Sequence, residues 1–241
     1  MSNNIKLATR KSPLALAQAN MVKSFLIDNS VFDKVDLISM STSGDTVDNK
    51  IFKKEGGKGL FLKELENALL EGEADIAVHS MKDVPAKLDE RFNISTIMKR
   101  EDPRDVFISD KHKTLSDIET GVIGSSSPRR QAIIKHLNSN IKSKEIRGNI
   151  QTRLQKLKKE QLDGIILAKS GLIRMGLDHV ITESLSVNDF VPSPGQGILC
   201  IECLSKNDFI IKRIKKVVCI KLSIWHRSVI KDKLSVHLED S

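Results

Sequence analysis

The chain has 241 residues, with 39 Lys+Arg against 31 Asp+Glu for a net charge of +8, and its 39% hydrophobic and 29% charged fractions are ordinary for a globular protein. No run approaches the roughly 18 uninterrupted apolar residues of a membrane-spanning helix, and three cysteines do not make a disulfide framework at this length. One Trp, no Tyr and 4% aromatics leave few stacking platforms for single-stranded nucleic acid. The expected partner is therefore a small molecule, with no nucleic acid and no membrane.

The N-terminal residues 1–11 have neither a long apolar core nor a small-residue cleavage site, so the expected location is the cytoplasm. The basic excess is uneven. From Leu204 onward there are 9 Lys+Arg and 4 Asp+Glu, which accounts for +5 of the net charge and leaves a mildly basic body.

In chain order, short apolar strand-like runs fall at 5–9, 35–41, 75–78, 106–109, 122–124, 144–146, 164–168 and 198–202. Helical patterns alternate with them, which argues for an α/β architecture with largely parallel sheets. Ser12 can cap a helix whose first turn holds Pro13, with Ala15, Ala19, Val22 and Leu26 as its apolar stripe. A second follows Gly56-Gly-Lys-Gly59, with Leu62, Leu65 and Leu69 on one face. Ser127 and Pro128 repeat the Ser12-Pro13 grammar, and Asn149 can cap a fourth helix bearing Ile150, Leu154 and Leu157. Bridges at Arg100-Glu-Asp-Pro-Arg104 and Val191-Pro-Ser-Pro-Gly195 read as crossings between two lobes, the arrangement of hinge-closing binding proteins.

The placement of the cations is the most informative feature. Arg10 and Lys11 precede the helix at Ser12, Lys58 sits in the glycine loop, and Arg129 and Arg130 occupy the first turn after Ser127. Arg147 closes a strand just before Asn149. Helix N-termini carry unpaired N–H groups and partial positive charge, so cations there oppose the macrodipole unless an anion joins them. Each residue alone is equally well read as a solvated surface cation; the set points to a polyanion at the carboxyl ends of the strands. Gly56-Gly-Lys-Gly-Leu lacks the Lys-Ser/Thr pair of a P-loop, so carboxylates are as good a ligand as phosphates.

Asp75-Ile-Ala-Val-His-Ser-Met-Lys-Asp83 reads as a buried strand ending in a polar turn. Asp83 there is either a general base or cation stabiliser, or a turn cap paired with Lys82. Cys200 and Cys203 form a C-x-x-C within a strand, where residues three apart face opposite sides, so buried thiols are expected and no metal site.

Seven segments together resemble one family, porphobilinogen deaminase. They are Ala8-Thr-Arg-Lys-Ser-Pro-Leu-Ala-Leu16, Gly56-Gly-Lys-Gly-Leu-Phe61, Ala74-Asp-Ile-Ala-Val-His-Ser-Met-Lys-Asp-Val-Pro85, Arg100-Glu-Asp-Pro-Arg-Asp105, Ser125-Ser-Ser-Pro-Arg-Arg-Gln131, Ile146-Arg-Gly-Asn149 and Pro194-Gly-Gln-Gly197. The resemblance implies an α/β, two-lobed hinge-closing fold like the type II periplasmic binding proteins. It also implies a hydroxymethylbilane synthase-type transferase of haem and tetrapyrrole biosynthesis, joining four porphobilinogen units head to tail with loss of ammonia. By resemblance Asp83 is the catalytic carboxylate, stabilising the azafulvene-like cation formed as the amine leaves. Lys82, Asp83, Ser127, Arg129, Arg130 and Arg147 match cofactor-binding positions. Arg10, Ser12, Lys58, Phe61, Arg147 and Arg153 match substrate-binding positions, with Arg174 as a further match.

The resemblance covers about the first 203 residues. It implies a dipyrromethane cofactor held by a thioether to cysteine in a third, small α/β domain. After Ile201-Glu-Cys203 the match fades, and no attachment cysteine is recognisable; Cys219 lacks the flanking glycines. The expected layout is domain 1 at 1–99 plus 195–216, domain 2 at 100–194, and an unmatched tail at 217–241 in place of the third domain. A truncated or frame-shifted end and a divergent partner-binding helix are the two explanations of that tail. A chain of this form is expected to be poorly active or inactive, and to associate through surface that the third domain would cover, where the complete family is monomeric. The alternative function is a non-catalytic binder of polycarboxylate pyrroles or other anions.

Overall fold

The computed structural model describes residues 3–41, 62–95 and 98–217. The glycine loop with Lys58 and Phe61, and the tail with Cys219, lie outside them. The chain forms two compact units, Met1–Arg100 with Ile198–Ser241, and Glu101–Gly197.

The first unit begins with β1 (Asn4–Arg10), α1 (Pro13–Asp28), β2 (Lys34–Met40), α2 (Lys63–Leu70), β3 (Ile76–Ser80) and β4 (Phe92–Ser95). The second holds β5 (Asp105–Ile108), β6 (Gly121–Gly124), α3 (Pro128–Leu137), β7 (Ile141–Lys144), α4 (Ile150–Lys159), β8 (Gly164–Ala168), α5 (Lys169–Arg174) and β9 (Glu183–Ser184). The chain then completes the first unit with β10 (Leu199–Leu204) and α6 (Asp208–Lys215). The sheets run β2-β1-β3-β10-β4 and β7-β6-β8-β5-β9.

Ser12 caps α1 as its sequence implies, its Oγ accepting from Ala15 N at 3.4 Å, with Pro13 opening the helix. Ala19, Val22 and Leu26 of α1 then bury against Ile5, Leu7, Ile76, Val78 and Ile201 of the sheet. Ile210 and Ile214 of α6 close the same core. On the other face Leu65, Ala68 and Leu69 of α2 cover Ala8, Ala77 and Phe92. In the second unit Ile134 of α3 packs with Phe107, Ile123 and Ile166, while Leu157 of α4 packs with Val106, Ile146, Ile165 and Leu167. Gly164 is required in β8 because a Cβ there would overlap the Phe107 ring.

The sheets are mixed, not largely parallel. β1 is parallel to β2 and β3, but β10 is antiparallel to β3 and β4; β6 is parallel to β7 and β8, but β5 is antiparallel to β8 and β9. The reason lies in where each crossing delivers the chain. β10 starts beside the end of β3, where Met81 N donates to Ile198 O at 3.0 Å. β5 starts beside the end of β8, where Lys169 N donates to Arg104 O at 3.0 Å. Each strand has only one way back across its sheet.

Two boundaries differ from the sequence reading. The strand expected at 144–146 lies at Ile141–Lys144, registered on β6 from Gly121↔Ile141 to Gly124↔Lys144, so Arg147 sits in the following turn and does not close a strand. Residues 195–197 belong to the second unit, not the first. Gln196 Nε2 donates to Pro103 O (2.7 Å) and Asp105 Oδ1 (2.8 Å), and Gly197 O accepts from Glu101 N (3.0 Å) and Arg174 Nη2 (2.6 Å).

Candidate anion-binding and catalytic residues

The parallel strands β7, β6 and β8 end where α4, α3 and α5 begin, so backbone N–H groups and helix dipoles converge at that end of the second sheet. Ser127 caps α3 and Asn149 caps α4, its Oδ1 accepting from Thr152 N at 2.9 Å. Arg129 and Arg130 project from the first turn of α3 onto one buried carboxylate, Asp105 at the start of β5. Arg129 Nη2 reaches Asp105 Oδ2 at 2.6 Å and Arg130 Nη2 reaches Asp105 Oδ1 at 2.7 Å. Arg130 also donates to Ile166 O (3.0 Å), and Arg129 to Val191 O.

Burial pushes the Asp105 carboxyl up, but the Arg130 and Arg129 guanidiniums outweigh it and hold the group below the ordinary carboxylate range. The sequence reading offered Arg130 as a ligand-facing cation. The structure instead uses it largely as an internal brace, 7% exposed, while Arg129 remains more open.

Arg153 and Arg147 extend the positive region. Arg153 Nε donates to Gly148 O at 2.8 Å, and Arg147 pairs with Glu145 at 2.7 Å. Burial first, then the charges of Arg130 and Arg147, lower the Arg153 pKa. Among the described residues Arg129 and Arg130 share Asp105, Arg147 pairs with Glu145, and Arg153 is buried beside Arg130 and Arg147. A partly buried cluster of like charge at two helix N-termini is costly until an anion joins it. Arg174 does not join this group: it fastens Gly197 O, and burial lowers its pKa with Glu101 opposing.

In the first unit β1 and β3 are adjacent and parallel, so Arg10 and the α1 cap Ser12 lie at the same sheet end as the 3-10 turn Met81–Asp83. Asp83 is exposed, and Lys82 half-buried. Buried Gln18 of α1 donates from Nε2 to Ser80 Oγ at 3.1 Å, tying the helix to the strand that carries the turn.

Cys200 and Cys203 are both buried, on opposite faces of β10. Burial, then Glu202 and Asp83, push the Cys200 thiol up; burial and Glu202 push Cys203 up to about 11. Both effects disfavour the thiolate form.

Residues that sequence reasoning missed are Asp105, Gln196, Gln18 and the buried pair His79–Glu202. Asp105 did leave a signal: a carboxylate opening the otherwise apolar run Asp105-Val-Phe-Ile has to be paired once buried.

The two α/β units, each on a mixed five-stranded sheet, define the fold class of the type II periplasmic binding proteins. Similar solved structures include a probable amino-acid ABC transporter extracellular-binding protein, ytmK, from Bacillus subtilis (12% identity, 96% of each chain covered, TM-score 0.54). Others are the methionine-binding protein MetQ (12%, 95% of this chain and 96% of that one, 0.54) and the aliphatic sulphonate binding protein SsuA from Escherichia coli (10%, 98% and 75%, 0.50). At such identities the likeness concerns fold alone.

The family model for porphobilinogen deaminase, dipyrromethane cofactor binding domain, matches residues 5–212, and the chain belongs to that family.

Proposed function

We propose that this chain binds porphobilinogen and its condensation products, as a hydroxymethylbilane synthase-type transferase of haem biosynthesis. The observation that carries the reading is the gathering of Arg129, Arg130, Arg147 and Arg153 at the N-termini of α3 and α4. Pyrroles bearing acetate and propionate arms are polycarboxylates, which such a cluster suits.

The residues of the second unit suit dipyrromethane: Ser127, Arg129, Arg147 and Arg153 would hold its carboxylates, with Arg130 bracing the cluster from Asp105. When bound, that group supplies the primer to which pyrroles are added. Arg10 and Ser12 would receive substrate carboxylates at the N-terminus of α1. Asp83, an exposed carboxylate on a turn braced by Gln18, would stabilise the positive charge that develops on a pyrrole as ammonia leaves.

Isothermal titration with porphobilinogen tests the binding: salt-sensitive association is expected, and no association would sink the reading. In a relative with full activity, the aspartate matching Asp83 changed to Ala should abolish turnover and leave the fold intact. Normal turnover would remove Asp83 from the mechanism.

A second reading is a binder of polycarboxylate pyrroles without turnover; burial and raised thiol pKa values disfavour a thioether at Cys200 and Cys203, the two cysteines among the described residues. Ammonia release from porphobilinogen separates the two. We expect little or none from this chain alone, with no dipyrromethane adduct on these cysteines by mass spectrometry.

A further inference from the structure

The first unit buries an ion pair that the reading above does not use. His79 Nε2 meets Glu202 Oε2 at 2.9 Å, with the two side chains 4% and 0% exposed. The register of β3 on β10 explains it. Cys200 stands opposite His79 and Glu202 opposite Ala77, so Glu202 is the diagonal neighbour of His79 on the face covered by α2. Among the described residues no donor reaches the other carboxylate oxygen, Glu202 Oε1, so the imidazole is the one group serving that buried carboxylate.

The backbone leaving His79 is fixed by what lies beside this pair. His79 O accepts from Cys200 Sγ at 3.5 Å, and Ser80 Oγ is held by Gln18. Met81 N donates to Ile198 O, and Val84 N closes the 3-10 turn onto Met81 O at 3.2 Å. Asp83 is four residues from His79 on that turn.

We propose that His79 and Glu202 are positioning residues for the Met81–Asp83 turn, locking the end of β3 to β10 through the buried hydrogen bond between them. The functional weight of this lock rests on Asp83 being the acting carboxylate; the lock itself does not. Breaking that hydrogen bond would leave buried polar atoms on both strands without it, and the β3–β10 junction would loosen or take up water to serve them. Among the described residues the charged groups near the pair include Glu66 from α2, Asp89 and Arg91 from the loop before β4, and Arg10, which alternation along β1 places on the same face. Burial and then the charge of Glu202 push the Glu66 carboxyl up.

Amide hydrogen exchange on the 241-residue chain tests this without any need for activity. In Glu202→Gln, protection at Met81 and Val84 is expected to fall about tenfold more than at Ile76 and Val78, a local loosening that general destabilisation would not produce. Equal losses at all four amides, or none, overturn the proposal. If that variant does not fold, His79→Gln, which removes the other partner of the contact, carries the same test: protection at Met81 and Val84 should again fall more than at Ile76 and Val78. Equal losses there, or none, overturn the proposal as well. Failure of porphobilinogen to bind would remove the role of Asp83 and leave these exchange results standing.

Discussion

Each unit buries a carboxylate in its sheet, and the two are served in opposite ways. Asp105 receives two guanidiniums and the Gln196 amide, so both its oxygens are occupied. Glu202 receives one imidazole, and among the described residues its other oxygen has no donor. Arginine does not give up its proton in a protein, so the charge on Asp105 is obligatory: without it two partly buried cations stand unpaired. The His79–Glu202 contact is one buried hydrogen bond between neighbouring strands, with no guanidinium in it. One carboxylate fixes a cation cluster; the other ties two strands.

The sharpest way to break this contrast is Asp105→Asn. It leaves Arg129 and Arg130 without a counter-charge beside Arg153, and we expect a loss of about 3–5 kcal/mol in the second unit, measured by urea unfolding with amide exchange at β6 and β8. The pH dependence has a definite sign. The folded pKa of Asp105 lies below its unfolded value, so its contribution is complete above the ordinary carboxylate range and is lost as the pH falls through the folded value. Acid should therefore open the second unit, and Asp105→Asn should remove that part of the acid transition.

Arg153→Gln separates binding from folding in the same cluster. Burial and two neighbouring cations already disfavour its charge, so removing it should leave stability unchanged or slightly raised. Porphobilinogen affinity should fall about tenfold, the order of one charged hydrogen bond. Equal affinity by titration calorimetry would take Arg153 out of the binding set.

These contrasts also separate what the sequence could and could not reveal. Ser12-Pro13, Ser127-Pro128 and Asn149 announce α1, α3 and α4, because capping is local chemistry written in adjacent residues. The helix Lys169–Arg174 has no side-chain cap and contains Gly171, and β9 is two residues long, so neither left a local signal. The arginines were legible as a set; that Arg130 is spent on Asp105 was not, since the carboxylate lies 25 residues earlier and only the fold joins them. The same holds for His79 and Glu202, separated by 123 residues. Local grammar gives elements and candidate charges; pairing between distant charges is a property of the packed sheets.

Smaller effects are expected around Glu202. Glu202→Gln keeps a side-chain oxygen for His79 Nε2 and leaves no guanidinium unpaired, so its cost should be about 1 kcal/mol, well below that of Asp105→Asn. A loss as large as that of Asp105→Asn in urea unfolding would end the distinction between the two carboxylates.

Glu66→Gln should go the other way. The Glu66 carboxyl is pushed up by burial and by Glu202, so its folded pKa exceeds its unfolded one. Its contribution is then most favourable below the unfolded pKa and is lost as the pH rises through the folded value. Near neutral pH the charged group costs the fold a little, and solvent at this half-buried position screens most of that cost. The neutral isostere should therefore stabilise the first unit by a few tenths of a kcal/mol, about 0.3, at neutral pH and by nothing in mild acid. Coupling makes the prediction specific. Combined with Glu202→Gln, which removes the charge that repels Glu66, the gain should shrink, and a double-mutant cycle with fully additive effects would show that the two carboxylates do not interact.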